Sequence, residues 1–300
     1  MRSRRVILHK FLRSIGFSEI RTREELQKLI NKTIEAATET EASVNKDEIL
    51  YADYSYEFGE NMGLTVCGQY DEKDEFNVDF VYPYMAASEV SSNERSIVER
   101  HAANVSFAGV CDDSRIGISI IYYLQNRIQY IKKSYSGSDC LKNVPVCLSG
   151  LSDSGMIMMP LQKDESGKKK MSRGDKKRDK LIEAARNGSE EALETLTLDD
   201  IDMYSTISRK IKKSDVYTIV DTYFMPNGVE CDMYSVLAEI VSLKEVVNTV
   251  SGEHVYQMLL MCNGVPIDIC INKADLFGEP EVGRRFKGTI WLQGWLDWLS

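Results

Sequence analysis

The 300-residue chain has no apolar run approaching the ~20 residues that a membrane-crossing helix needs. Its cysteines are Cys67, Cys111, Cys140, Cys147, Cys231, Cys262 and Cys270, an odd number, and no two are spaced C-x-x-C. Common structural zinc sites and a disulfide framework are therefore not expected, and free thiols in a reducing compartment are. No G-x-x-x-x-G-K-[ST] loop is present, so a triphosphate would lack its nest of backbone N–H groups. Neither a cofactor nor a metal is expected. Positive charge is also in deficit. With 37 Lys and Arg against 46 Asp and Glu, the net charge is −9, which disfavours phosphate backbones and anionic lipid as partners. The start, Met1 to Phe17, is basic and partly apolar. His9, Lys10 and Arg13 interrupt it and no small-residue cleavage site follows, so a cytoplasmic protein is expected.

What is present is an ordinary globular composition, 43% hydrophobic and 28% charged, in a chain long enough to bury a sizeable core. Thr22 and Glu25 form a capping box ahead of Leu26, Leu29, Ile30 and Ile34 at helical spacing. From Ile49 the period changes to two. Strands are expected through Tyr56, from Leu64 to Tyr70 and from Phe76 to Tyr82, the last two joined by an Asp71-Glu72-Lys73-Asp74 turn. Further strands are expected over 97–110 and 116–124, with a short helix over 126–133. A hairpin is expected around Ser152-Asp153-Ser154-Gly155. Residues 163–180 hold nine basic and four acidic side chains and almost nothing apolar, and a charged linker is placed at 163–176. Helices follow, one of them capped by Ser189. Five more apolar runs then suggest a small barrel, with Asn263-Gly264 as a hairpin turn between two of them. The expected fold is thus α+β. An N-terminal antiparallel sheet with helices (1–162) precedes the linker, and helices with a small C-terminal barrel-like module (177–300) follow it.

Several strings resemble an uncharacterised bacterial, clostridial-type family. They include Tyr223-Phe224-Met225-Pro226-Asn227-Gly228, Gly283-Arg284-Arg285-Phe286-Lys287-Gly288 and Gly109-Val110-Cys111-Asp112-Asp113. The resemblance starts near His9 and runs to the end. It implies a bacterial cytoplasmic setting and brings no catalytic residues with it.

Candidate sites are read from the residues themselves. Arg284, Arg285 and Lys287 surround Phe286 among glycines, and they either bind an anionic ligand or pair with Glu279 and Glu281. Trp291 and Trp295 share one face of the last strand, which either docks a partner (a homodimer mate or another protein) or is covered from within. Cys111 with His101 is the one Cys–His pair a hydrolase would use, although Asp112 and Asp113 oppose thiolate formation. Glu230, Asp232, Asp221 and Asp268 supply carboxylates for acid–base work, more simply read as strand-end charges. Asn272-Lys273-Ala274-Asp275 spells N-K-x-D but reads as a polar turn without the phosphate loop. The basic run at 168–178 lacks aromatics for base stacking, so nucleic acid is not expected as a partner. The preferred expectation is a binding or interaction protein without catalytic activity. A Cys/His or carboxylate hydrolase and a nucleic-acid binder are the alternatives.

Overall fold

The computed structural model describes residues 9–44, 48–100, 106–135, 144–160 and 220–298, with residues 181, 184, 189–192, 194 and 195 in between. Lys10–Ile15 form a 3-10 turn that buries Phe11, Leu12 and Ile15. Helix α1 (Arg23–Glu35) starts at the expected capping box, with Thr22 and Glu25 each bonding the other's backbone, and buries Leu26, Leu29 and Ile30. Four strands follow as an antiparallel meander in sequence order: β1 (Glu39–Val44), β2 (Leu50–Gly59), β3 (Met62–Tyr70) and β4 (Phe76–Met85). The turn before β4 is held by Asp71, whose carboxylate accepts from the N–H groups of Lys73 and Glu75.

The second sheet holds the remaining strands: β5 (Ser96–Arg100), β6 (Phe107–Asp112), β7 (Ser119–Leu124), β8 (Val146–Met158), β9 (Tyr223–Pro226), β10 (Met233–Val247), β11 (His254–Cys262), β12 (Val265–Asn272), β13 (Leu276–Phe277) and β14 (Arg285–Leu296). Helix α2 (Arg127–Tyr135) links β7 towards β8 and packs Ile128 and Ile131 on the meander beside Tyr51. Strand β8 runs parallel to β12, β12 antiparallel to β11, β11 to β10, β10 to β14, and β14 back to β8. That closed circuit is a five-stranded barrel, which leaves no open edge among its members. Alternate residues fill it, among them Val236, Ala238 and Ile240 on β10, Met258 and Leu260 on β11, Ile267 and Ile269 on β12, and Phe286, Ile290 and Leu292 on β14.

The α+β expectation is overturned by this topology. The protein is mostly β, and strands from both sides of the basic stretch share one sheet, with β8 and β7 each hydrogen-bonded to β14. The barrel is real, but β8 closes it in place of the first tail strand, and β9 pairs separately along β10. The expected hairpin at 152–155 is one continuous strand. Opposite it, Thr289 pairs with Ser154 and Ile290 with Ser152, so Asp153 is the extra residue of a β-bulge. Turn-forming residues serve a bulge equally well. Gly155 faces Gly288 across the pair, and a Cβ on either would lie 2.4 or 2.5 Å from the Phe286 ring, so these glycines make room for an aromatic side chain. The polar segment Thr38 to Lys46 has the composition of a loop, yet Glu39–Val44 within it form strand β1. The Asn263-Gly264 hairpin stands as expected, both residues having positive φ.

The chain divides into two compact units, Met1–Met158 with Thr222–Ser300, and Met159–Asp221. In the second, Ser189 Oγ accepts the Ala192 N–H at 3.3 Å, the cap that the sequence suggests. The linker placed at 163–176 lies outside the described residues.

Candidate functional site

Part of the outer face of the barrel is covered by the meander and the N-terminal turn. Phe11, Leu12, Ile15, Phe58, Met62, Leu64 and Val66 form one cluster with Leu151, Cys270 and Trp291 of the barrel strands. The turn is fixed through its backbone carbonyls and two of its side chains. Asn248 and Asn272 donate to the carbonyls of Ile15 and Arg13 at 2.8 and 3.1 Å, Ser14 Oγ donates to Ser152 O at 2.7 Å, and Arg13 pairs with Asp275. Asn272 Oδ1 caps Ala274, so the N-K-x-D string serves as a turn and an anchor.

Where this turn begins, a cleft of about 730 Å³ opens beside Trp291, a volume within the range of ordinary ligand pockets. His9, Phe11, Tyr123 and Trp291 supply its ring-bearing wall, and Lys10, Glu230, Cys231 and Asp232 stand around it. The rings hold one another. His9 lies 4.5 Å and Tyr123 5.2 Å from Trp291 between centroids, and Phe11 stacks on Trp291 at 5.7 Å. Trp291 Nε1 donates to Asp232 Oδ2 at 2.8 Å, which ties the Glu230-Cys231-Asp232 loop to the barrel. His9 Nδ1 is buried without a hydrogen-bond partner, and so is the Tyr123 hydroxyl. Burial, and next the charge of Lys10, pull the His9 pKa down to about 4, so its imidazole is neutral at pH 7. Cys231 is the exposed thiol among the described cysteines, the others being buried or partly so.

The sequence-predicted residues fall in different places. Trp291 is in the cleft. Trp295 lines a separate hollow of about 50 Å³ with Asp53, Gln125 and Asn126. Between the two tryptophans, Gln293 donates to Pro83 O at 2.8 Å and accepts from Gln125 at 2.8 Å, so β4 covers this face of β14. Arg284 donates to Glu279 O at 2.7 Å and pairs with Glu281 at 2.8 Å. Arg285 is buried, Lys287 is half-buried, both are engaged, and neither they nor Arg284 line the cleft. Cys111 is fully buried 3.6 Å from Ser92 Oγ, and burial pushes its thiol pKa up, which opposes a nucleophile. His101 lies outside the described residues, as does the basic run. Asp268 is buried on the outer face of β12, where Ser88 donates to it twice. Among the described residues no group of His, Cys, Asp and Glu is placed to hold a metal ion, and no helix is long and apolar enough to cross a membrane.

His9 and Tyr123 are the site residues that sequence reasoning missed. A single histidine beside a lysine carries no periodic signal, and Tyr123 alternates within a strand like any half-buried residue. The usable hint was the rarity of histidine, three in 300 residues, with one placed against an apolar helical face.

No curated protein and no solved structure matches the chain. A family model does, from residue 12 to residue 294, under the description "Domain of unknown function, E. rectale Gene description (DUF3881)". Because that match spans nearly the whole barrel, meander and inserted unit, the chain belongs to this domain-of-unknown-function family, DUF3881.

Proposed function

We propose that the protein is a binding protein without catalytic activity, working in the bacterial cytoplasm, and that its ligand occupies the cleft around His9, Tyr123 and Trp291. One observation carries this reading. A cleft of about 730 Å³, the size of a ligand pocket, is bordered by His9, Tyr123 and Trp291 and by the charged and thiol groups of Lys10, Glu230, Cys231 and Asp232. The Cys/His alternative is weakened by Cys111, whose burial raises the pKa of its thiol.

Cys231 provides the test, because it is exposed at the lip. The protein is alkylated in the presence of a metabolite library, the Cys231 adduct is followed by peptide mass, and Trp291 emission is read in parallel. A ligand in the cleft slows modification of Cys231 and shifts emission in the native protein but not in Trp291→Phe. If every compound leaves both signals unchanged, the cleft is not a binding site.

A further inference from the structure

We infer that strand β1, at the edge of the meander, is a docking site for an extended segment of another protein that carries Lys or Arg at alternate positions. This surface is separate from the cleft and does not depend on it. Among the described residues β1 pairs with β2 alone, in an unbroken antiparallel register from Glu39 opposite Ser55 to Val44 opposite Leu50. In such a pair, alternate residues of the outer strand turn their N–H and C=O groups away from the neighbour, so β1 presents a row of unmatched donors and acceptors. An incoming strand meets that row with its own backbone. Glu39, Thr40, Ala42 and Val44 are exposed, and the strand contains no lysine, proline or bulge of the kind that closes an edge to other chains. Its two charges are both carboxylates, and they decide which strand is admitted.

Glu41 lies opposite Asp53 and Glu39 opposite Ser55, and from Ser55 the row continues across the meander through Thr65 to Tyr82. These side chains share one face, where with Tyr84 and Trp295 they line the hollow of about 50 Å³. That is room for the end of one side chain and far below the size of a metabolite pocket. No Lys or Arg lines it. Arg127 meets Asp53 inside the fold, and Glu41 accepts from the neutral amide of Gln129 at 2.7 Å, so Glu39 and Glu41 have no matching cation among the described residues. The stretches that follow β1 and α2 in the chain, 45–47 and 136–143, carry Lys46 with Asp47 and Asp139 with Lys142, and add no net charge. Residues two apart along a strand stand about 6.7 Å from each other, so alternate side chains of an added strand come opposite Glu39 and Glu41 in turn. Lys or Arg at those positions makes complementary cross-strand pairs. A second copy of this chain fits worse, because pairing β1 with its own copy adds two further carboxylates and no cation at the joint.

The experiment uses the full chain and four fluorescent peptides of equal length. They are alternating Thr-Lys repeats, the same residues with all lysines in one block, alternating Thr-Glu repeats, and the first peptide with its backbone N-methylated throughout. Affinity is read by fluorescence anisotropy, and amide hydrogen exchange over Glu39–Val44 reports the place of binding. The alternating lysine peptide is expected to bind at least about tenfold more tightly than the other three and to slow exchange within Glu39–Val44. Glu39→Gln weakens it by about two- to fivefold, and Glu39→Lys/Glu41→Lys turns the preference to the glutamate peptide. Equal binding of the alternating and block lysine peptides overturns the proposal, since charge alone then suffices. Binding that leaves exchange in Glu39–Val44 unchanged overturns it, and so does no binding by any peptide. Exchange in β1 that slows with protein concentration alone, together with a dimer by light scattering, gives the edge to a second copy and overturns the partner class.

Discussion

The inside of the barrel and the part of its outside that the turn and the meander cover are both buried, yet they are held by different means. Inside, alternate positions of five strands present mainly apolar side chains to one another, from Val236 to Leu292. Outside, the same strands meet the N-terminal turn and the meander through Asn248, Asn272, Ser14 and Gln293 as well as through apolar contacts. Further out, Arg127 is 1% exposed and binds Asp53 with the rings of Tyr51 and Phe80 beside it, a complete ion pair inside the fold. Apolar packing rewards any close fit and tolerates small changes in shape. Buried hydrogen bonds reward one docking position only. The barrel interior therefore supplies apolar burial, and its polar surroundings decide where the turn and the meander sit.

Four measurements press on that contrast, the largest effect first. Asp53→Ala leaves the Arg127 guanidinium buried and unpaired, and urea unfolding should show a loss of about 3–5 kcal/mol, with Asp53→Leu/Arg127→Met losing much less. A double variant as unstable as the single one would mean that the pair does more than neutralise itself. Next comes acid. His9 has its pKa lowered from 6.5 to about 4 in the folded protein, so between those values the unfolded chain binds the extra proton. Its contribution is complete above pH 6.5 and is lost as pH falls towards 4, at most roughly 3 kcal/mol. Urea midpoints at pH 7.5, 5.5 and 4.5 should fall faster in the native protein than in His9→Phe, and parallel curves would refute the assignment. Third, Asn272→Ala strands the Arg13 carbonyl and should cost about 1–3 kcal/mol by the same assay. Smallest is Ile269→Val inside the barrel, at about 0.5–1.5 kcal/mol. If the last two exchanged places, the interior would be the more exacting environment.

Local chemistry was legible in the sequence, and long-range pairing was not. Thr22 with Glu25, Asp71 and Asn263-Gly264 declare their roles because the groups they serve lie within a few residues. Barrel closure depends on Val146–Met158 meeting Arg285–Leu296, and nothing within either segment names the other. Ser152 to Gly155 was misread for that reason, since the ring that needs Gly155 belongs to Phe286. The same gap explains the candidate residues. The cations of Arg284 and Arg285 looked available along the chain, but Arg284 is met by its own loop and Arg285 is buried. The cleft joins residue 9 to residues 123, 231 and 291, a set that only the fold brings together.

Strand β14 follows every other strand in the chain and touches three of them, β7, β8 and β10. During synthesis, β8 therefore emerges long before its neighbour and waits with an unpaired edge while well over a hundred further residues are made. At ordinary elongation speeds of about 5–20 residues per second that interval lasts on the order of ten seconds, ample time for stray edge-to-edge association. A ribosome-bound chain halted before Arg285 should accordingly hold a chaperone that the released chain does not.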